Sequence, residues 1–311
     1  MNILITGGAG FIGSHIVDSM IKAGHRVSIV DNLSTGNISN VNKRAHFYDI
    51  DICRADLQRV FRKEKPDIVM HYAANTMVSK SMEKPAWDAR QNILGSLNLI
   101  TLCARFKVKR IVYASSAAIY GNPEYIPVDE IHPINPVSNY GLSKYVVEKY
   151  LDLYYREYGL PYTALRYSNV FGPRQNSKCE AGVVAIFADQ MLHNERAVIF
   201  GDGTKTRDYI YIDDVVAANR RVIDDNIDGV YNISTAIETT DQAIFDTLAD
   251  RLHYKGRPAY VPVRKGEITK ICLSNTKAQK ALRWKNGNRL ADVLSKTAAY
   301  YQHLFSCGGR I

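Results

Sequence analysis

Short apolar runs alternate with longer stretches of helical periodicity through the first half of the chain. The run at residues 2–6 ends in glycines, which is typical of a buried parallel strand. Residues 11–23 have helical spacing, with large apolar side chains on one side and Gly24 as a stop signal. The same pattern predicts strands at 27–30, 67–70, 109–113 and 162–166, and helices at 87–104 and 140–158. Strands that alternate with helices predict an α/β fold built on a doubly wound parallel (Rossmann) sheet.

After about Tyr167 the pattern is less regular. Short strands at 197–200, 209–212 and 229–233 are interspersed with helices at 183–192, 241–252, 275–282 and 290–305. No Ser/Pro-rich linker marks a boundary. We therefore expect a doubly wound domain at 1–166 and a smaller mixed α/β part at 167–311, the two intertwined.

Composition narrows the range of partners. The chain has 311 residues, of which 46% are hydrophobic and 23% charged, and this is ordinary globular material. Forty basic and 31 acidic residues give a net charge of +9, but the two signs are interspersed. No basic arm, zinc spacing or aromatic RNA motif is present, so a small anionic ligand is favoured over nucleic acid.

The cysteines and the N-terminal sequence indicate the cellular compartment of the protein. The five cysteines are an odd number without a CxxC pair, which predicts free thiols and a reducing compartment, the cytoplasm. The first strand begins at Asn2, which leaves no room for a signal peptide, and no apolar run is long enough to span a membrane. We also expect no metal site.

A glycine motif joins the first predicted strand to the first helix. In residues 6–13, Gly7 permits the tight turn, Gly10 the approach of a pyrophosphate and Gly13 close packing of helix on strand. Free N–H groups at the helix N-terminus then favour the anion. Asp31 ends the second strand, at the distance of an acid that binds ribose hydroxyls and repels a 2′-phosphate. A bare glycine-rich turn is the alternative, but this context predicts a dinucleotide site and favours NAD over NADP.

Residues 49–52, which follow a further predicted strand after the one at 27–30, contain a second candidate. Asp51 is placed to accept from an adenine amino group, with Ile52 against the ring. An acidic residue in a strand-end turn has the same pattern, so both interpretations of Asp51 stay open.

Tyr140 and Lys144 lie four residues apart in a predicted helix and therefore on one face of it. An ammonium group near a phenol lowers the phenol pKa, which a tyrosine needs to act as a base near neutral pH. The spacing alone also fits an exposed helix pair. The glycine motif earlier in the chain favours the catalytic interpretation.

Several further segments accompany these motifs. In chain order they are GGAGFIG (7–13), DNLS (31–34), HYAA (71–74), SSAAIYG (115–121), YGLSK (140–144), RYSNVFGPR (166–174), GDG (201–203), RDY (207–209) and RKGE (264–267). Together they resemble the extended short-chain dehydrogenase/reductase superfamily, and within it the UDP-glucose (UDP-galactose) 4-epimerases and close sugar-nucleotide epimerases. The resemblance covers essentially the whole chain.

The resemblance implies NAD-dependent C4 epimerisation of a UDP-hexose through a transient 4-keto sugar. Tyr140 would take the 4-hydroxyl proton, Ser116 would hydrogen-bond that hydroxyl, and Lys144 would hold the nicotinamide ribose and lower the tyrosine pKa. The implied NAD-binding set is Gly7, Gly10, Phe11, Ile12, Gly13, Asp31, Asn32, Ser34, Thr35, Gly36, Asp51, Ile52, Tyr72, Ala73, Ala74, Asn92, Tyr140, Lys144, Tyr167 and Val170. The implied UDP-sugar set is Ser116, Tyr140, Asn169, Val184, Phe200, Arg207, Arg264 and Glu267.

Two features bear on the reaction and the sugar. Related dehydratases and decarboxylases carry an acid just after the catalytic Ser/Thr, whereas this chain has Ala117 and Ala118, which favours epimerisation. Ile271 lies where the family controls pocket width, and its intermediate size leaves acceptance of UDP-GlcNAc and UDP-GalNAc open. Cys179 fits an incidental loop thiol better than a pocket residue.

Alternatives remain at this stage. A UDP-glucuronate 4-epimerase would share nearly all these motifs, and a non-catalytic NAD-binding regulator would share the fold. The resemblance also implies a homodimer formed through a four-helix bundle, built from the helices predicted at 87–104 and 140–158. The same apolar content fits an intramolecular core.

Overall fold

The computed structural model describes residues 1–178, 182–263 and 268–308. Six strands precede residue 168: β1 (Asn2–Thr6), β2 (Arg26–Asp31), β3 (His46–Asp49), β4 (Ile68–His71), β5 (Arg110–Ser116) and β6 (Tyr162–Tyr167). Seven follow: β7 (Asn169–Phe171), β8 (Val198–Phe200), β9 (Thr206–Arg207), β10 (Tyr209–Tyr211), β11 (Gly229–Ile233), β12 (Thr239–Thr240) and β13 (Ala259–Val261).

A seven-stranded parallel sheet in the order β11-β6-β5-β4-β1-β2-β3 forms the centre of the molecule. The predicted doubly wound α/β fold is therefore confirmed. Three short two-stranded pairs, β7 with β10, β8 with β13 and β9 with β12, lie outside this sheet.

Helices cover both faces of the sheet. They are α1 (Phe11–Lys22), α2 (Leu57–Glu64), α3 (Val78–Glu83), α4 (Pro85–Ala89), α5 (Gly95–Arg105), α6 (Asn139–Tyr158), α7 (Val183–Leu192), α8 (Ile212–Asp224), α9 (Asp241–Arg251), α10 (Thr276–Ala281) and α11 (Leu290–Ser306). Successive residues of β1 show why both faces need cover, since Ile3 and Ile5 enter one apolar cluster while Leu4 enters another. Side chains alternate along a strand, so an apolar run buries on both sides.

Two predicted elements differ in detail from the structure. The helix expected at 87–104 is interrupted, because α4 passes into a π-helical turn at Arg90–Leu94 before α5 begins. Ile212, predicted to end a strand, instead begins α8, where the carboxylates of Asp213 and Asp214 in the first turn suit the positive end of the helix dipole. Helices α2, α3 and α8 were not predicted.

Residues on both sides of position 166 share one sheet and one core. β11 pairs in parallel with β6, with Gly229 opposite Thr163 and Ile233 opposite Tyr167. The apolar cluster that contains Ile3 also includes residues of α11 such as Val293. The C-terminal part thus completes the central sheet as well as building the region beside it.

Candidate active site

A cleft of about 670 Å³ opens at the carboxyl ends of β1, β2, β4, β5 and β6. This is the edge of an open α/β sheet at which ligands bind, because strand ends and helix N-termini meet there. Its lining joins the glycine turn, the end of β2, the loop after β4 and the start of α6. The two motifs predicted to bind a dinucleotide and to perform acid–base chemistry therefore face one space.

The glycine turn has no room for side chains. Gly7 has a φ of +71°, and a Cβ there would lie 2.5 Å from the Ala73 backbone nitrogen. A Cβ on Gly13 would lie 2.1 Å from the Gly7 carbonyl oxygen. Gly10 caps α1 without a side-chain hydrogen bond, so the first-turn N–H groups of α1 suit an anion in the cleft. This geometry fits a dinucleotide diphosphate.

Asp31 supports that turn from the end of β2. Its Oδ2 accepts from the Ala9 N–H at 3.0 Å and its Oδ1 from the Leu33 N–H at 2.8 Å. Burial raises its pKa, against the effect of these two hydrogen bonds. The carboxylate lines the cleft, so Asp31 shapes the turn and presents an acceptor to a ligand. Gly36 lies outside the lining and packs beneath Asp31, where a Cβ would meet Oδ1 at 3.0 Å.

The contacts of Asp51 fit both of its predicted roles, the turn-forming acid and the acceptor facing a ligand. Its Oδ1 accepts from the Cys53 N–H at 2.8 Å, as a turn-forming acid does, and its Oδ2 accepts from Asn32 at 3.3 Å. Asp51, Ile52 and Asn32 also line the cleft. The turn contact thus leaves Asp51 facing the space in which the sequence predicted an adenine.

The predicted catalytic pair lies at the start of α6. Ser138 caps this helix by accepting from the Gly141 N–H at 3.1 Å. Lys144 Nζ lies 5.9 Å from the centroid of the Tyr140 ring and donates to the Ala114 carbonyl at 2.9 Å. Burial lowers the pKa of Lys144 to about 8, opposed by the charge of Asp88. The lysine is thus mostly cationic at neutral pH while it is held beside the phenol.

Ser116 faces this pair from the end of β5. Its Oγ accepts from the Ala118 N–H at 3.2 Å, which leaves its own O–H to donate into the cleft. Ser115 instead donates to the buried Glu148 carboxylate at 2.5 Å, which is a structural role. Glu148 is in turn paired with Arg166 at 2.7 Å, which ties α6 to β6.

Most of the predicted site residues line the cleft. Those that do are Gly7, Gly10, Phe11, Ile12, Gly13, Asp31, Asn32, Ser34, Thr35, Asp51, Ile52, Tyr72, Ala73, Ala74, Ser116, Tyr140, Lys144, Tyr167, Asn169, Val170 and Arg207, together with Ile271. Gly36, Asn92, Val184 and Phe200 are outside that lining. Arg264, Glu267 and Cys179 lie outside the described residues.

Three of the four described residues outside the lining lie in helices or strands. Asn92 is buried, and its side-chain nitrogen is 3.0 Å from Ser143 Oγ on α6. Val184 is buried in the first turn of α7, and Phe200 ends β8. Arg207, within the lining, donates to the Ile268 carbonyl at 2.5 Å and so holds the segment that follows residue 267.

Sequence reasoning missed two groups of site residues. Asn219 of α8 accepts from the Tyr72 hydroxyl at 2.6 Å and donates to the Tyr167 hydroxyl at 2.9 Å, which fixes two predicted cofactor residues. Lys80 and Trp87 line the cleft mouth, with the ammonium 4.0 Å from the ring centroid. Asn219 carries no local signal, whereas Lys80 lies in a helix too short for its periodicity to be seen.

Across residues 1–178, 182–263 and 268–308, no helix has both the length and the apolar character needed to cross a bilayer. In the same ranges no three His, Cys, Asp or Glu side chains are grouped so as to hold a metal ion.

Fold and site together define an enzyme of the short-chain dehydrogenase/reductase type, with a dinucleotide turn and a Tyr–Lys pair in one cleft. The chain belongs to the NAD dependent epimerase/dehydratase family, whose model matches residues 3–234. The family predicted from the motifs and its NAD dependence are thereby confirmed.

Individual relatives extend over nearly the whole chain. The UDP-glucose 4-epimerase of Mycolicibacterium smegmatis is 36% identical over 310 residues, which cover 97% of this chain and 99% of the relative. The crystal structure of UDP-glucose 4-epimerase from Thermotoga maritima with UDP-glucose superposes with a TM-score of 0.95 at 44% identity, covering 98% and 100%. The Thermus thermophilus enzyme in complex with NAD gives a TM-score of 0.93 at 36% identity, covering 97% and 99%.

Proposed function

We propose that this chain is an NAD-dependent epimerase that inverts C4 of a UDP-hexose, with UDP-glucose and UDP-galactose as its substrates. The observation that carries the proposal is the position of Tyr140, Lys144 and Ser116 around the same cleft as the glycine turn. The relatives named above act on or bind the corresponding ligands.

The residues of the chain supply binding and proton transfer. NAD, when bound, provides the hydride acceptor and donor that the reaction needs. Tyr140 takes the 4-hydroxyl proton and later returns it, Ser116 orients that hydroxyl, and the Lys144 cation favours the phenolate. The glycine turn and Asp31 hold the cofactor diphosphate and ribose.

The residues that follow β5 favour inversion at C4 over an elimination reaction. Ala117 and Ala118 line the cleft directly after Ser116, so neither position carries a carboxylate. A dehydratase or decarboxylase moves a second proton and needs a base there, whereas C4 inversion needs one acid–base group. The proposed reaction therefore matches the groups at this strand end.

The remaining site assignments belong to the same proposal. The predicted NAD-binding set binds the cofactor, with Gly36 and Asn92 acting from behind the lining. Asn169, Val184, Phe200 and Arg207, with Arg264 and Glu267, bind the UDP part, and a guanidinium suits a diphosphate through forked hydrogen bonds. The division at 166 separates the cofactor-binding from the sugar-nucleotide-binding part.

The direct test is turnover by purified protein without added NAD. UDP-galactose, UDP-N-acetylgalactosamine and UDP-glucuronate are supplied separately, and the C4 epimer of each is measured by chromatography. Conversion of UDP-galactose supports the proposal and shows retained cofactor. Conversion of UDP-glucuronate alone would replace it with the uronate assignment. No turnover with NAD added, although NAD binds, would favour the non-catalytic regulator.

Ile271 is expected to set the width of the sugar pocket. It is buried, lines the cleft and packs in a small apolar cluster with Leu273. We expect Ile271→Ala to raise turnover of UDP-N-acetylgalactosamine relative to UDP-galactose by about tenfold, because a side chain of this size decides fit by about 1–3 kcal/mol. The ratio of the two kcat/KM values measures this effect.

A neighbouring position provides a control that distinguishes a change in pocket width from a general loss of packing. Leu273 is equally buried but does not line the cleft. Leu273→Ala should therefore destabilise the protein without changing the ratio of the two sugars. An unchanged ratio in Ile271→Ala would show that this residue does not gate the pocket.

A homodimer built from α5 and α6, with the helical segments before α5, is part of the proposal. Leu94, Leu153 and Tyr158 of this region expose large apolar side chains, and a partner surface would cover them. Light scattering is expected to give twice the mass of the chain, and a monomer at micromolar concentration would contradict the assignment.

A cytoplasmic location is proposed as well, since Cys53, Cys103, Cys272 and Cys307 are free thiols.

A further inference from the structure

A buried carboxylate lies behind the catalytic helix. Asp88 of α4 is 1% exposed, and its Oδ1 accepts from Asn75 Nδ2 at 2.6 Å and from Asn92 Nδ2 at 3.1 Å. Within the described part of the chain, its Oδ2 has no hydrogen-bond partner. Burial of a charged carboxylate with an unsatisfied oxygen costs folding free energy, unless a group of opposite charge offsets that cost.

One of the two amides connects Asp88 to Tyr140. Asn92 Nδ2 is 3.0 Å from Ser143 Oγ, and Ser143 Oγ donates to the Tyr140 carbonyl at 2.9 Å. Asn92 lies in the π-helical turn, a local distortion frequent at functional sites. The carboxylate therefore fixes an amide that supports the backbone of the proposed acid–base residue.

The other amide connects Asp88 to the cleft wall. Asn75 exchanges hydrogen bonds with Asn92, through its own N–H at 2.7 Å and its carbonyl at 3.1 Å. Its Oδ1 accepts from the Met77 N–H at 3.2 Å, and Asn75 and Met77 both line the cleft. A single carboxylate thus aligns the loop after β4 and the first turns of α6.

The compensating charge is Lys144, which is 4% exposed. Lys144 lies beside the Tyr140 ring on its own helix, the Tyr113 ring at 5.0 Å and the Ala114 carbonyl on β5. His71 on β4 and Asp88 interact with it through charge. Burial lowers the pKa of His71 to about 3, so that ring is neutral. Glu148, one turn along α6, is neutralised by Arg166. Asp88 is buried like Lys144 and is connected through Asn92 to Ser143, the residue before Lys144. Among the described residues it is then the carboxylate whose charge favours the Lys144 ammonium.

We propose that Asp88 is a positioning residue for the reaction: it aligns Asn75 and Asn92 behind the site and supplies the negative charge that keeps Lys144 protonated. Its catalytic consequence rests on the proposed function. Its effect on Lys144 can be measured without any turnover.

The test replaces Asp88 with asparagine, which keeps an acceptor for the two amides and removes the charge. Lysine labelled at Cε is titrated by NMR in the protein as purified, with Lys144→Met used to assign the signal. Without the anion the ammonium is less favoured, so the titration midpoint of Lys144 should fall from about 8 by about one pH unit or more. An unchanged midpoint overturns the proposal.

Activity should change with pH in the matching direction. In Asp88→Asn, kcat should be about tenfold lower than in the parent at pH 8, because Lys144 is then largely neutral, and the loss should shrink toward pH 6. Asp88→Ala also removes the acceptor, so its kcat should stay low at pH 6. An equal loss at every pH in Asp88→Asn would contradict the role of the charge.

A matched control exists on α8. Asp214 is 5% exposed, accepts from the Gly287 N–H and Asn288 Nδ2 at 2.9 Å, and has an unpartnered Oδ2 within the described ranges. Its substitution by asparagine removes a similarly buried charge away from the cleft. The Lys144 midpoint should be the same in Asp214→Asn as in the parent, and an equal shift there would overturn a specific role for Asp88.

A double variant covers the case in which Asp88→Asn does not fold. If the two charges compensate one another, the thermal midpoint of Asp88→Asn/Lys144→Met should fall by less than the two single-variant decreases added together. Additive effects would overturn the proposal. A shifted Lys144 midpoint in a protein that turns over no UDP-sugar would uphold the coupling and reject the proposed function.

Discussion

Replacement of Tyr140 by phenylalanine is expected to lower kcat for UDP-galactose by about 10²- to 10⁴-fold, the usual contribution of a positioned acid–base group. Phenylalanine lacks the phenol oxygen, which is the group that we propose takes the 4-hydroxyl proton beside Lys144 and Ser116. The ring itself stays at the start of α6, capped by Ser138. The thermal midpoint and the amount of bound NAD should therefore match those of the parent.

Another tyrosine of the same helix provides the control. Tyr150 packs against the apolar cluster under α6 and is absent from the cleft lining. Tyr150→Phe should retain full kcat. If Tyr140→Phe retained activity while Tyr150→Phe did too, the assignment of the acid–base group would be wrong even though the fold is unchanged.

Substitution of Gly13 by alanine is expected to remove the cofactor site. The added Cβ would lie 2.1 Å from the Gly7 carbonyl oxygen and 2.8 Å from its carbon, both backbone atoms that cannot rotate away. The turn must open, which costs about 1–3 kcal/mol of unfolding free energy, as overpacking does. Misplacement of the N–H groups that bind the diphosphate should weaken NAD binding about 100-fold, or about 2.7 kcal/mol.

The NAD content of the purified protein, measured after denaturation, reports the effect together with urea unfolding. Gly287 is the matched control, because a Cβ there meets nothing within 4 Å. Gly287→Ala should retain NAD and stability. Stoichiometric NAD in Gly13→Ala would show that the diphosphate does not bind at this turn.

Local signals account for the part of the fold and site that the sequence predicted. The apolar run of β1, the glycines after it and Asp31 are each recognisable within a few residues, and they meet because parallel strands end at one edge. Tyr140 and Lys144 are recognisable by helical spacing. These features need no knowledge of distant contacts.

The missed features depend on contacts between distant segments. Asn219 is one polar residue in an amphipathic helix, and its role comes from two tyrosines that reach it from the ends of β4 and β6. The π-helical turn at Arg90–Leu94 breaks the 3.6-residue period that predicted one continuous helix. Asp88 has no local signal either, since Asn75 and the α6 residue that it reaches through Asn92 lie on separate segments.

The position of β11 has a consequence for how the chain folds as it is made. β6 is an inner strand of the sheet only after residues 229–233 have paired with it. On a ribosome that has released only the first 166 residues, β6 would present a row of unpaired N–H and C=O groups, an edge prone to join another chain. The nascent N-terminal half therefore depends on shielding until some 70 further residues have been synthesised, and truncation after the proposed boundary should yield aggregates, not an isolated cofactor domain.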